Sequence, residues 1–190
     1  IILRDQQVEV ETLAMKHRIP TYGFLFRERP RPRNIIKDSI KQYNIPVDQM
    51  DSLKSGEDLL LSDGRIVPNA IITTPPVPPR RYAFCSDTVY TEDFLHQITG
   101  VDLLYHEATF LHDMAKTARE KTHTTSLEAA TLARKANVRH LLLGHYSARY
   151  KNIEVFAEEA KTVFPQTMLA EEGMVVQVPP DDQKNSGASS

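Results

Sequence analysis

Three short apolar runs, each closing on polar residues able to do chemistry, constrain this chain more than anything else in it. Tyr82-Ala83-Phe84-Cys85 ends at Ser86-Asp87, Val101 to Tyr105 ends at His106-Glu107, and Leu141-Leu142-Leu143 ends at Gly144-His145. A β-prone run of this length that stops at polar residues reads as a buried strand handing its last side chain to a site at the sheet edge. Helical patterns separate the runs. Thr91 caps a short helix over 91–97, another covers 112–121, and Ser126 caps a third that carries Leu127, Ala130, Leu132, Ala133 and Ala136. The resulting β-α-β-α-β alternation defines an α/β protein, which a further helix over 153–163 and a strand over 168–178 extend.

The first residues read differently. Alternation over 8–15 and again over 22–26 predicts two strands flanking a turn at 17–21, which puts His17 on a connection. From residue 27 the pattern changes to Arg27, Arg29, Arg31, Arg33, Lys37 and Lys41 interleaved with Pro30 and Pro32. A short helix follows, marked by Ile35, Ile36, Ile40 and Tyr43, with turn signals at Pro46, Ser55-Gly56 and Asp63-Gly64. Residues 27–69 therefore form an excursion from the core, and Pro75-Pro76-Val77-Pro78-Pro79 is a stiff connector back to it. Residues 179–190 have the composition of a disordered tail, which makes 1–178 the folded domain.

With 190 residues the chain can bury one sizeable core. A net charge of -2 offers no global attraction for nucleic acid, so any such contact must come from a local patch, and the stretch from Arg27 to Lys41 is one. Cys85 is the single cysteine, which excludes an intrachain disulfide and a cysteine zinc cage; inside a predicted strand it reads as packing. No apolar run approaches the roughly 20 residues that span a bilayer, and no signal peptide opens the chain, so the setting reads as cytoplasmic. Ile1 stands where Met would, inside what reads as a structural element, and the protein is expected to continue upstream.

His17, Asp87, His106-Glu107 and His145 all fall at strand ends or adjacent loops, with His123 just before a helix. Any one of them could be a satisfied structural group. Together they could reach one rim, because successive strands of one sheet deliver their ends to the same place. Imidazole nitrogen and carboxylate oxygen suit zinc or manganese, and a bridging carboxylate can hold two metals around one activated water.

Four motifs carry a resemblance. Ser86-Asp87-Thr88, His106-Glu107-Ala108-Thr109, His123-Thr124-Thr125 and Leu143-Gly144-His145-Tyr146-Ser147-Ala148-Arg149-Tyr150 occur in the order and spacing of the ribonuclease Z family. The chain resembles the C-terminal two thirds of those tRNA 3′-processing endonucleases. The resemblance implies a metallo-β-lactamase-like αββα sandwich whose N-terminal part is missing and which carries an inserted protruding arm at 27–69. It further implies two zinc ions per complete site, with His17 on one, Asp87 bridging both and His145 on the second. His123 would donate a proton to the leaving 3′ oxygen, with Glu107 orienting it or tuning its pKa. Arg29, Arg31, Arg33 and Lys54 on the arm, and Arg149 beside the site, would contact precursor tRNA. Arg149 could equally brace a carboxylate, and the arm's charges could be a solvated face.

The chain departs from the family in three ways. Ser86 replaces a glycine, the arm lacks the glycine-proline tip, and the His-x-His-x-Asp-His motif is absent from these residues. The last departure implies a fragment inactive by itself, cut from a protein expected to be a homodimer. The rivals are another hydrolase of the same fold, such as a phosphodiesterase or arylsulfatase, and a non-catalytic RNA-binding half.

Overall fold

The structure is a computed structural model that describes residues 1–178; the tail reading for 179–190 lies outside them. The described residues divide into two compact units, one built from 1–29 and 80–178, the other from Pro30–Pro79.

The first unit is a seven-stranded sheet of β1 (Leu3–Arg4), β2 (Val8–Met15), β3 (Thr21–Glu28), β4 (Arg81–Cys85), β5 (Leu103–Glu107), β6 (His140–Gly144) and β7 (Thr167–Leu169), in that spatial order. The first four strands pair antiparallel, and β4 through β7 run parallel. Because β2 is antiparallel to β3 and β3 to β4, the direction of β2 matches that of the parallel strands. The ends of β2, β4, β5 and β6 consequently meet along one rim, which places His17, Asp87, Glu107 and His145 together.

Strand alternation sorts the two faces. One face presents Leu13, Leu25, Ala83, Cys85, Leu104, Leu141 and Leu143 to helices α1 (Ser126–Lys135) and α2 (Glu154–Lys161), forming the main core with Ala129, Leu132, Ala133, Phe156 and Ala160. Alanines on the buried side of α1 allow close approach to the sheet. The other face carries half-buried aromatics in cross-strand stacks, Phe26 on Tyr82 at 5.6 Å and Phe84 on Tyr105 at 4.8 Å between ring centroids. Cys85 is fully buried in the main core, and desolvation pushes its thiol far above the usual range, which supports packing over nucleophilic chemistry.

Several boundaries differ from the sequence reading. Helix α1 is capped by Thr125, not Ser126: the Thr125 side chain accepts from the Glu128 backbone while Glu128 reaches back, completing a capping box. Thr91 starts a turn by accepting from Asp93 N (3.3 Å), and the helix there is the single turn Leu95–Ile98. The final strand is only Thr167–Leu169, because a turn with Gly173 at φ 78° follows it.

The second unit has its own small core of Ile45, Leu53, Leu59, Val67 and Ile72. A helix (Lys37–Gln42), a second helix (Met50–Ser55) and a hairpin of Leu59–Leu60 with Ile66–Val67 surround it. Its limits correct the 27–69 reading at both ends. Arg27 belongs to β3, paired across to Arg81 and ion-paired to Glu11 at 2.6 Å. Residues past 69 belong to the unit, since Thr73–Thr74 pairs with Asn34–Ile35. Buried Asn69 locks this closure by donating to the carbonyls of Leu53 (2.8 Å) and Glu57 (2.6 Å).

Candidate metal centre

Glu107 organises the rim. Its side chain is fully buried, where an unpaired carboxylate would cost several kcal/mol by rough reckoning. Both oxygens are satisfied: Oε1 accepts from the backbone N–H groups of Thr88 (3.1 Å) and Thr124 (3.1 Å) and from His123 Nδ1 (3.0 Å), and Oε2 accepts from Thr109 N (3.0 Å) and Thr109 Oγ1 (2.7 Å). Burial pushes the carboxyl pKa up, but the hydrogen bonds from His123 and Thr109 outweigh it and hold the group below its ordinary value. The same bond raises the pKa of His123 against the opposing effect of burial.

Each site histidine has Nδ1 engaged by an acceptor of the protein. His17 Nδ1 lies 3.1 Å from the Thr122 carbonyl, His123 Nδ1 bonds Glu107, and His145 Nδ1 lies 2.9 Å from Thr109 Oγ1. Since the Thr109 hydroxyl gives its proton to Glu107, it can only accept from His145. All three rings in their neutral form therefore carry the proton on Nδ1 and leave an Nε2 lone pair, the tautomer that suits a metal ligand. The rings adjoin: His17 and His123 lie 5.4 Å apart by centroid, His123 and His145 5.3 Å. His145 sits in the left-handed region, φ 59°, at the end of β6, a turn that ends the strand and aims the ring at the rim. Gly144 before it is glycine because a methyl group there would collide with the Tyr105 phenol.

Asp87, His123 and His145 each offer a ligand atom, all within 4.8 Å of one another, and Asp87 Oδ1 stands 3.5 Å from His145 Nδ1. This donor set of imidazole nitrogen and carboxylate oxygen fits a zinc-type ion. The grouping differs from the sequence reading, which placed His17 with Asp87 and His145 and kept His123 for acid catalysis. His17 lies one ring further along the same row.

Arg149 is exposed, with its guanidinium 5.0 Å from the centre of the Phe110 ring, and Phe110 in turn lies 6.3 Å from His123. That places a cation beside the rim. Of the residues that the sequence reading assigned to the arm, Arg33 turns inward, its Nε donating to Thr73 Oγ1 at 2.7 Å, whereas Arg29 falls in the first unit and donates to the Asp5 carbonyl at 3.0 Å. Lys54 accepts through its backbone from Arg33 N (3.0 Å), with its side chain half-exposed. Arg31 is exposed. The sequence reading missed Thr88, Thr109 and Thr124, the donors that hold Glu107. The available signal was a threonine within two positions of Asp87, Glu107 and His123.

The fold is the metallo-β-lactamase fold. A metallo-β-lactamase fold protein from Bacillus subtilis matches 92% of the chain with a TM-score of 0.60 at 20% identity, over 52% of its own length. Human tRNase Z, short form, matches 94% with a TM-score of 0.55 at 22% identity, over 46% of its length. No protein-family model matches. Curated proteins named ribonuclease Z are far nearer in sequence: that of Phocaeicola vulgatus is 47% identical over 178 residues, covering 94% of this chain and 58% of the relative, and that of Porphyromonas gingivalis W83 is 45% identical over 174 residues, covering 92% and 57%. The chain is a partial-length homologue of ribonuclease Z, spanning somewhat more than half of the curated relatives it matches.

Proposed function

We propose that the complete protein is a zinc-dependent endoribonuclease that removes the 3′ trailer from tRNA precursors. The observation that carries this reading is the row of His17, His123 and His145 beside Asp87, all Nδ1 positions held, in a homologue of ribonuclease Z. His17, Asp87 and His145 would hold the zinc ions, together with ligands from outside this chain. When bound, the metal pair supplies an activated water and neutralises charge on the phosphate. Glu107 fixes the His123 ring and favours its protonated form, so that Nε2–H can be given to the leaving 3′ oxygen. Ligation and proton donation both use His123 Nε2, and the Glu107 bond favours donation because a ligand nitrogen must be unprotonated. Arg149 would steady a phosphate beside the rim, and Arg29, Arg31 and Lys54 would contact the tRNA backbone; Arg33 serves the arm's own structure as well. A homodimer and a cytoplasmic setting belong to the same proposal. Among the described residues no helix is long and apolar enough to cross a membrane.

The test uses the full-length protein and a precursor tRNA. His123→Ala should lower turnover by about 10² to 10⁴ while leaving precursor affinity nearly unchanged. Hydrolysis of a small phosphodiester without any cleavage of precursor tRNA would favour a different hydrolase of this fold. The 190-residue chain alone should neither bind two zinc ions tightly nor cut RNA, and contaminant-free cleavage by it would refute the assignment of ligands.

A further inference from the structure

Five helices among the described residues run into a residue in the left-handed conformation: Lys37–Gln42 into Asn44 (φ 48°), Met50–Ser55 into Gly56 (φ 105°), Leu95–Ile98 into Gly100 (φ 66°), Ser126–Lys135 into Asn137 (φ 50°) and Ala115–Glu120 into Thr122 (φ 61°). The last is a Schellman ending, with His123 N bonded to the Ala118 carbonyl at 2.8 Å and Thr122 N to the Arg119 carbonyl at 3.1 Å. Glycine is the ordinary occupant of the left-handed position and asparagine the next. A β-branched residue is the poorest choice, because its Cβ substituents crowd the backbone there. Thr122 therefore stands where stability alone would select glycine.

Its side chain does something glycine could not. Thr122 Oγ1 lies 2.6 Å from His17 Nδ1 and itself donates to the Lys121 carbonyl at 2.6 Å, so toward the ring it can only accept. The Thr122 carbonyl accepts from the same Nδ1 at 3.1 Å. Two acceptors from one residue thus converge on one ring nitrogen, 105 positions away in sequence, and both require the proton on Nδ1. The next residue is His123, whose ring adjoins that of His17. A single strained turn sets the relation between these two histidines.

We propose that Thr122 is a positioning residue that locks His17 in the Nδ1–H tautomer and directs its Nε2 to the metal centre, at a cost in backbone strain. This rests on His17 being a metal ligand, as read above. In the full-length protein, Thr122→Gly should raise thermal stability and at the same time weaken zinc binding by roughly 10-fold, toward the range typical of removing ligand-supporting hydrogen bonds. Thr122→Ser, which restores the hydroxyl, should restore zinc affinity. In the metal-free protein, ¹⁵N shifts of the His17 ring should report the Nδ1–H tautomer for the wild type and Thr122→Ser, and a larger share of the Nε2–H tautomer for Thr122→Gly, which keeps only the carbonyl acceptor.

A residue with a purely structural part would move stability and zinc affinity in the same direction. A Thr122→Gly variant with wild-type zinc affinity and a wild-type tautomer would overturn the proposal, as would failure of Thr122→Ser to restore affinity. His17→Ala separates the two readings. If it leaves zinc affinity unchanged, His17 is not a ligand and the positioning role falls with it; if it weakens zinc binding while Thr122→Gly does not, only the role of Thr122 falls.

Discussion

Glu107 and His145 share one hydroxyl: Thr109 Oγ1 donates to the carboxylate at 2.7 Å and accepts from the imidazole at 2.9 Å. The opposite oxygen of the same carboxylate holds His123 at 3.0 Å. One buried carboxylate therefore orients two of the three rim histidines, one directly and one through a hydroxyl. Glu107→Gln keeps the shape but introduces an NH₂ facing either the Thr88, Thr124 and His123 donors or the Thr109 pair. It should destabilise the folded protein by about 3 kcal/mol in denaturant titration, because either orientation sets donor against donor. It should also lower the pKa of His123 measured by NMR.

The same pair sets a pH window. Glu107 has a native pKa below its ordinary 4.5, so its contribution is complete above that value and is lost as pH falls through the native one. His123 has a native pKa above its ordinary 6.5, so its contribution is complete below that value and is lost as pH rises through the native one. Stability of the metal-free protein should hold between these limits and decline on both sides. His123→Ala should abolish the decline on the alkaline side; an unchanged alkaline limb would show that the pair does not couple to folding.

Arg29, Arg31 and Arg33 should separate by role. Arg33→Ala removes the bond to Thr73 inside the second unit and should lower that unit's protection from amide hydrogen exchange. Neutralising Arg29 and Arg31 together should weaken precursor tRNA binding and reduce its salt slope by about 0.7 to 0.9 for each phosphate left without a cation. Hydrolysis of a small phosphodiester should be nearly unaffected. Wild-type affinity and salt dependence in the double variant would remove these two residues from the RNA-binding surface.

Thr125→Ala opens the capping box at the start of α1 and should cost about 1 kcal/mol. Ser126→Ala removes instead a bond to Glu159, leaving the cap in place. Comparing the two variants by thermal unfolding checks which residue caps the helix.

Cys85 should resist thiol reagents in the native protein at mildly alkaline pH and react only at the rate of unfolding, since its sulfur is buried and its thiol pKa strongly raised. Rapid labelling under native conditions would contradict its place in the core.

Local chemistry makes much of this fold legible in the sequence. Strands β4, β5 and β6 can be read because each is a short apolar run cut off by polar residues, and the motif strings around Asp87, Glu107, His123 and His145 are sufficient to suggest the ribonuclease Z relatives. Boundaries are less legible. Thr125 and Ser126 are both competent caps, and only the placement of Glu128 and Glu159 decides between them. Arg27 resembles its basic neighbours in sequence, yet strand register ties it to Glu11.

The sequence by itself determined the residue types available at the rim, the strands that carry them and the helices that follow, since these depend on side-chain period, turn residues and caps acting over a few positions. Tertiary structure alone decided that β2 points the same way as β4, which brings His17 to the rim across 105 residues from Thr122. It also decided that His123 stands with Asp87 and His145, and that three threonines join His123 in holding Glu107. Those relations depend on pairings between distant strands and on which ring nitrogen meets an acceptor, and neither is encoded in the local pattern of any one segment.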